Sequence, residues 1–366
     1  MSVDKIPGSS GAKKRPIYII GAGGIVNDAH LPAYALAGYP AAGIYDIDFN
    51  KAKATADKFS IPKAFDNLDK VIKNAEENAV FDVAVPASSI IEVLQQLPDK
   101  SSVLIQKPMG ENLKEAGKIL ELTRTKKQIA AVNFQLRYSP AIQSARHMID
   151  QGLLGDLCDI EVNVNVYTPW HLWDFLYQST RVEILYHSIH YIDLVRSFLG
   201  NPASVYAKTV KHPAMARLSS VKSSVIMDYG DEVRANILTN HCHQFGSMHQ
   251  QSYIKFEGTK GAIKITLGVL KDYPKGEPDS YEYIYLDENG KGKWNTLEID
   301  GTWFPDAFIG SMSQLLLAAD GTIQQPDNSV EDCIYTMACV EAAYISSERG
   351  GITLKEMLEN LVDTLR

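Results

Sequence analysis

Cysteine is scarce. The 366 residues contain four, Cys158, Cys242, Cys333 and Cys339, with no pair at CxxC spacing. That excludes a disulfide-framework scaffold and a zinc knuckle, and the chain reads as cytosolic. Long apolar runs are missing as well. No stretch reaches the ~18 residues of a membrane span, and the polar first 15 residues, expected to form a short flexible tail, lack the apolar centre of a signal peptide. Positive charge is thin: 36 Lys and Arg face 44 Asp and Glu, a net charge of −8, and the one basic run is Lys13-Lys14-Arg15. Nucleic-acid binding needs a basic footprint that is lacking here. There is no internal repeat and no low-complexity segment. What is present, 45% hydrophobic and 22% charged residues, is the composition of a globular protein, and at roughly 150 residues per domain the length favours two domains.

From Pro16 to Phe134 short β-rich runs (Pro16-Ile20, Ala41-Asp46, Val80-Pro86, Ser102-Lys107, Gln128-Phe134) alternate with amphipathic segments, which predicts a parallel α/β sheet. After a helix starting near Ser139, Leu157 to Tyr167 alternates strictly. Ile160, Val162, Val164 and Val166 share one face, and Asp159, Glu161, Asn163 and Asn165 the other, as in a half-exposed strand. Six more strand-like runs follow between Ala203 and Leu286, predicting an open-faced, mainly antiparallel sheet, and two helices (Asp306 to Ala319, Val330 to Glu348) close the chain. The expected division is a tail (1–15), a dinucleotide-binding α/β domain (16–135) and an α+β domain for substrate binding and oligomerisation (136–366), whose last helices are candidates to pack back on the first domain.

Directly after the first strand stands Gly21-Ala22-Gly23-Gly24-Ile25-Val26, opening a helix through Asn27 to Ala37. Two glycines allow close backbone approach of a pyrophosphate to a helix N-terminus. Val26 replaces the third small residue, so helix and strand are expected to stand slightly apart. The second strand ends in Ile44-Tyr45-Asp46-Ile47, placing an acid about 20 residues on, where it can accept from ribose hydroxyls and repel a 2′-phosphate. NAD is therefore preferred to NADP, with Asp48 able to share or take the role of Asp46.

The most informative segment runs from Arg181 to Gly200. At helical spacing Leu185, Ile189, Ile192, Val195 and Leu199 form an apolar face, while Glu183, Tyr186, His187, His190 and Asp193 occupy the other. Two histidines among them make this a candidate acid/base helix; the alternative is a hydrated face. A metal site of His187, His190 and Asp193 with His241 or His243 lacks the usual ligand spacings, and no metal is assigned. Upstream, Trp170 and Trp173 can stack on a polyhydroxylated ring or fill the core between the domains. Arg181 can pair with a substrate carboxylate, or simply with Glu183 or Asp174.

Taken in order, these segments resemble the glucose-fructose oxidoreductase, inositol dehydrogenase and MocA family of NAD(P)-dependent dehydrogenases. The pieces are Gly21 to Ile25 with Ala29-His30-Leu31-Pro32-Ala33, Tyr45-Asp46, Gln106-Lys107-Pro108, Asn133 to Pro140, Gly152-Leu153-Leu154-Gly155 and His190-Tyr191-Ile192-Asp193. The resemblance implies a Rossmann domain beside an open-sheet domain, with substrate held between nicotinamide and sheet. Lys107 matches the family lysine that touches the nicotinamide ribose and the substrate hydroxyl, and His190 the histidine regarded as general base. The chain departs from the pattern at Gln106, in place of a glutamate, at Arg181 to Glu183, in place of glycines, and at Tyr186, in place of an aspartate that can orient the imidazole. His187, Glu183 or Tyr186 itself is a candidate to take over that role.

The expected function is hydride transfer between NAD and a secondary hydroxyl of a sugar, polyol or sugar acid. Catalysis is expected from Lys107, His190 and Tyr186. Cofactor contacts are expected from Gly21, Gly23, Gly24, Ile25, Val26, Asp46, Ile47, Pro86 and Lys107, and substrate contacts from Trp170, Trp173, Arg181, His187 and Asp193. The alternatives are an NAD-recycling epimerase or oxidoisomerase, and a sugar- or dinucleotide-sensing protein without turnover. The open-faced sheet is expected to join the chain into a homodimer or homotetramer.

Overall fold

Short apolar runs become the centre of a parallel sheet in the computed structural model, which describes residues 13–273 and 276–351; most of the expected N-terminal tail lies outside them. The first half runs β1 (Ile17–Ile20), α1 (Leu31–Ala37), β2 (Ala41–Tyr45), α2 (Phe49–Phe59), β3 (Ala64–Phe65) and α3 (Leu68–Asn74). It continues with β4 (Val80–Val83), α4 (Ile90–Gln96), β5 (Ser102–Ile105), α5 (Leu113–Thr125) and β6 (Ile129–Val132). Among the described residues these strands form one sheet in the order β3-β2-β1-β4-β5-β6, so the chain reverses its direction of travel between β1 and β4 and leaves a crevice there. Every residue of β1, β4 and β5 is buried, because helices cover both faces. Side chains of Asp48, Asn67 and Asn112 cap α2, α3 and α5 by accepting from otherwise unpaired N–H groups. The two-residue β3 carries too little pattern to be foreseen.

The second half runs α6 (Pro140–Asp150), β7 (Leu157–Asn165), α7 (Ile189–Leu199), β8 (Ser204–Val210), β9 (Lys222–Asp228) and β10 (Arg234–Asn240). Then come β11 (Gln251–Gly258), β12 (Gly261–Thr266), β13 (Ser280–Tyr285), β14 (Asn295–Leu297), α8 (Ala307–Ala319) and α9 (Val330–Arg349). Its sheet has the order β14-β13-β12-β11-β7-β10-β9-β8. The pairs are antiparallel except β7 with β10, which the intervening α7, β8 and β9 bring back in the same direction. Ile160, Val162 and Val164 of β7 are buried, and Glu161, Asn163 and Asn165 half-buried, as the alternation predicts, whereas Asp159, expected on the polar face, is buried beneath Arg234, whose Nε donates to it (3.2 Å). The outer face is open: Tyr206, Ile226 and Leu238 remain 57%, 52% and 47% exposed.

The last helices tie the halves together. Phe308, Met312 and Leu315 of α8 share a core with Ile17, Ile19 and Ile44 of the parallel sheet. Helix α9 lies along β8, the edge strand, where the Ser346 hydroxyl accepts from the Ala207 N–H (2.9 Å) and the Ser347 hydroxyl from the Thr209 N–H (3.0 Å).

Candidate active site

The glycine turn sits at the C-terminal end of β1. Gly21 has φ +109°, and a Cβ there would stand 2.3 Å from the Ala84 carbonyl oxygen, so only glycine fits. At Gly23 a Cβ would meet nothing within 4 Å, and at Gly24 only the Asp28 carboxylate at 3.7 Å. The space above the turn is thus left free for a ligand, and both residues are exposed. Val26 is fully buried against the β1 core, and the turn it begins (Val26–His30) is wound as a π-helix, closed by the Leu31 N–H on the Val26 carbonyl. The wider turn accommodates the bulk expected to separate helix and strand.

Asp46 follows β2 directly. Its carboxylate accepts from the Ala22 N–H (2.8 Å) and the Asp48 N–H (2.9 Å), which fixes it beside the glycine turn with lone pairs to spare. Asp48 instead caps α2 through the Asn50 N–H (3.0 Å). Ile47 is 93% exposed, and Pro86 is exposed beyond the end of β4. Open glycine positions, a helix start and a fixed carboxylate fit a dinucleotide: the turn would hold the pyrophosphate and Asp46 the adenine ribose.

Lys107 follows β5. Its Nζ donates to the Tyr186 carbonyl (2.8 Å), and among the described residues no carboxylate pairs with it. Burial lowers its pKa to about 8. Gln106 is buried and accepts from the Lys107 N–H through its side chain (3.1 Å). Across the cleft α7 begins as a second π-turn, Ile184–Ser188, which presents the Tyr186 carbonyl to the lysine. The Tyr186 ring packs edge-on against Phe175, and burial pushes its phenol up to about 12, so it stays neutral. His190 is 7% exposed, its Nδ1 has no partner among the described residues, and its ring stands perpendicular to that of Trp303, centroids 5.4 Å apart. Burial, then the nearby Lys107 charge, holds His190 well below the usual histidine range; His187 is held low by burial and by His241, Lys107 and His190. Lys107, His187 and His190 therefore lie within one another's electrostatic reach.

Other expectations are corrected. Asp193 does not face substrate: its oxygens are taken by Arg137 (2.6 Å each) and by the Thr336 hydroxyl (2.8 Å) inside the protein. Arg181 pairs with neither Glu183 nor Asp174; its fork closes on Glu341 of α9 at 2.7 and 2.8 Å, so its charge is already matched within the protein. Trp170 is buried with Leu176, Val182 and Leu218 and so fills a core, whereas Trp173 is half-buried against Tyr273 (5.7 Å). The alternative of a hydrated helix face is not what the structure has, since Glu183 and Asp193 are buried. Trp303, which walls His190, lies far from every motif, and the sequence carries no signal for it.

Comparison with known proteins bears on this arrangement. Residues 16–134 match the family described as "Oxidoreductase family, NAD-binding Rossmann fold" (GFO_IDH_MocA), and residues 142–264 match the GFO/IDH/MocA C-terminal domain. An inositol 2-dehydrogenase/D-chiro-inositol 3-dehydrogenase of Lacticaseibacillus casei is 24% identical over 59% of this chain and 67% of its own length. A glucose-6-phosphate 3-dehydrogenase of Bacillus subtilis is 26% identical over 62% of this chain and 68% of its own. The solved structure of an oxidoreductase from Agrobacterium radiobacter, in complex with NAD+, L-tartaric acid and magnesium, superposes with TM-score 0.76 at 18% identity, covering 94% of this chain and all (100%) of that one.

Proposed function

Because the chain belongs to the GFO/IDH/MocA oxidoreductase family, we propose that it transfers hydride between NAD and a secondary alcohol carbon of a sugar, polyol or sugar acid. The observation that carries this reading is Lys107: a part-buried cation with no carboxylate partner among the described residues, whose charge helps hold His187 and His190 low, beside the crevice of a dinucleotide-binding sheet. Relatives named for inositol and for glucose 6-phosphate support a polyhydroxylated substrate.

NAD, when bound, supplies the hydride acceptor. His190, kept neutral by burial, takes the proton of the reacting hydroxyl. Lys107 donates to the oxygen as negative charge develops on it, the Tyr186 carbonyl holding the amine in place. Asp46 stands where a 2′-phosphate would meet a fixed carboxylate, which favours NAD over NADP. Trp173, at the mouth with Tyr273, offers an aromatic wall to a carbohydrate.

The test is nicotinamide reduction with NAD and NADP in parallel, over aldoses, inositols, aldonates and uronates. Turnover is expected with NAD, and Lys107→Ala and His190→Ala are each expected to lower it by at least ~100-fold while NAD binding persists. Near-normal turnover in both variants would sink the assignment.

We also assign the open sheet face to self-association. Besides its exposed apolar side chains it carries a hollow of about 490 Å³ floored by Asn163, Asn165, Leu238 and Asn240. Light scattering is expected to report a dimer or tetramer, and a monomer at working concentration would contradict this.

A further inference from the structure

A cavity of about 370 Å³ opens between α6, the end of α7, α8 and the start of α9, and the mechanism gives it no task. Arg196 and Ser197, which line it, stand six and seven residues beyond His190, roughly 9 Å or more along the helix. The lining is charged: Arg137, Arg146 and Arg196 converge there with Asp327 and Asp332. Arg137 and Arg196 are each 5% exposed, whereas Asp327 is exposed, so the cavity runs from water inward to buried guanidinium groups.

Two of the three guanidinium groups are matched within the protein. Arg137 pairs with Asp193 and Asp332 (2.6 Å each), and Arg196 pairs with Asp332 (3.1 Å) and donates to the Asn201 carbonyl and the Thr336 hydroxyl. Arg146 differs. Among the described residues it forms no ion pair; it lies over the Phe198 ring, 4.0 Å from the centroid, and donates to the Ser197 carbonyl (3.1 Å) and hydroxyl (2.8 Å). Those two bonds use two of the five N–H groups of a guanidinium and leave three. Burial lowers its pKa, while Asp150 and Asp327 raise it from a distance and Arg137 lowers it further. Gln314 adds a donor, since its carbonyl accepts from the Asp327 N–H (3.4 Å) and its amide nitrogen is left for the cavity.

We propose that this cavity is a second ligand site, for a small oxyanion, carboxylate or phosphate, gripped by Arg146. Phe198 and Ser197 hold the guanidinium in place, so its unused N–H groups are set in advance for the oxygens of one anion. Charge points the same way. The three guanidinium groups face Asp332 and Asp327, with Asp193 behind Arg137; of these carboxylates Asp327 alone is exposed, where water and salt screen it, and the inner part keeps one positive charge in surplus. A monoanion balances it. The occupant touches the end of the helix whose beginning carries His190, and so is a ligand other than the substrate; the site depends on neither NAD nor the dehydrogenase reading.

The test is isothermal titration calorimetry on the full chain, in an amine buffer with ionic strength fixed by sodium chloride, using sodium phosphate and sodium acetate as separate titrants. At least one of them is expected to bind saturably with a Kd of ~1 mM or tighter, and the one that does identifies the oxyanion. Arg146→Gln leaves no carboxylate stranded, because Arg146 pairs with none among the described residues, and is expected to weaken that binding about tenfold or more. Arg146→Lys keeps the charge without the planar fork, and a loss of roughly threefold is expected; it decides the matter if Arg146→Gln does not fold. Binding of equal strength in wild type and in the folded Arg146 variants overturns the site, since such an anion sits elsewhere, as on the glycine turn. So does the lack of saturable binding of either titrant up to about 20 mM.

Discussion

Replacing Asp193 by alanine separates architecture from chemistry on the proposed catalytic helix. Asp193 is 1% exposed and accepts two 2.6 Å bonds from the Arg137 guanidinium, which is itself 5% exposed. Removing one partner of such a pair typically costs about 3–5 kcal/mol, because the other charge stays buried. Arg137 keeps bonds to Asp332 (2.6 Å) and to the Asp327 carbonyl (2.8 Å), which places the expected loss near the lower end, about 3 kcal/mol. In a chain of this size that corresponds to a fall in Tm of roughly 4 °C, measured by calorimetry or intrinsic fluorescence. Arg137→Met added to Asp193→Ala is expected to recover part of the loss, since it removes the stranded charge. KM for the alcohol is expected to stay within about twofold of wild type, because no Asp193 oxygen faces the cleft. A stable Asp193→Ala protein with KM raised tenfold would refute the reasoning and return this carboxylate to the substrate.

Gly21→Ala is expected to abolish NAD binding or folding, its Cβ meeting the Ala84 carbonyl oxygen at 2.3 Å, whereas Gly23→Ala, with nothing within 4 Å, is expected to fold normally and to lose NAD affinity alone. Circular dichroism and equilibrium dialysis tell the two apart. Lys107 carries its charge below its lowered pKa of about 8 and loses it above, so kcat/KM for alcohol oxidation is expected to fall on the alkaline side with a midpoint near 8. A profile flat to pH 10 would remove the ammonium from the mechanism.

Much of the fold is legible where one physical requirement dominates the local sequence. The all-buried strands β1, β4 and β5 read as near-continuous apolar runs, broken by Asp82 and Ser102, because both sheet faces are covered, and β7 reads as an alternation because only one is. The glycine turn and Asp46 are legible because backbone approach restricts the residue types locally. The helix from Arg181 to Gly200 misleads for the opposite reason. Its polar residues suggest water, yet their partners come from far along the chain: Arg181 meets Glu341, Asp193 meets Arg137 and Thr336, and Glu183 meets His241. Periodicity identifies which side chains share a face, but not what lies opposite that face. The π-turns at Val26–His30 and Ile184–Ser188 are likewise responses to packing, invisible in local preference.

The serines near the end of α9 have a consequence for how the chain can associate. With Ser346 and Ser347 occupying N–H groups along β8, that margin of the larger sheet presents no ready row of donors for a strand from another molecule, and the opposite margin ends in the three-residue β14. Both margins thus offer little to growth along the hydrogen-bonding direction. The broad outer face remains as the surface open to contact, and α9 acts as the selvedge that keeps the β8 margin of a large mixed sheet from serving as a template for fibres.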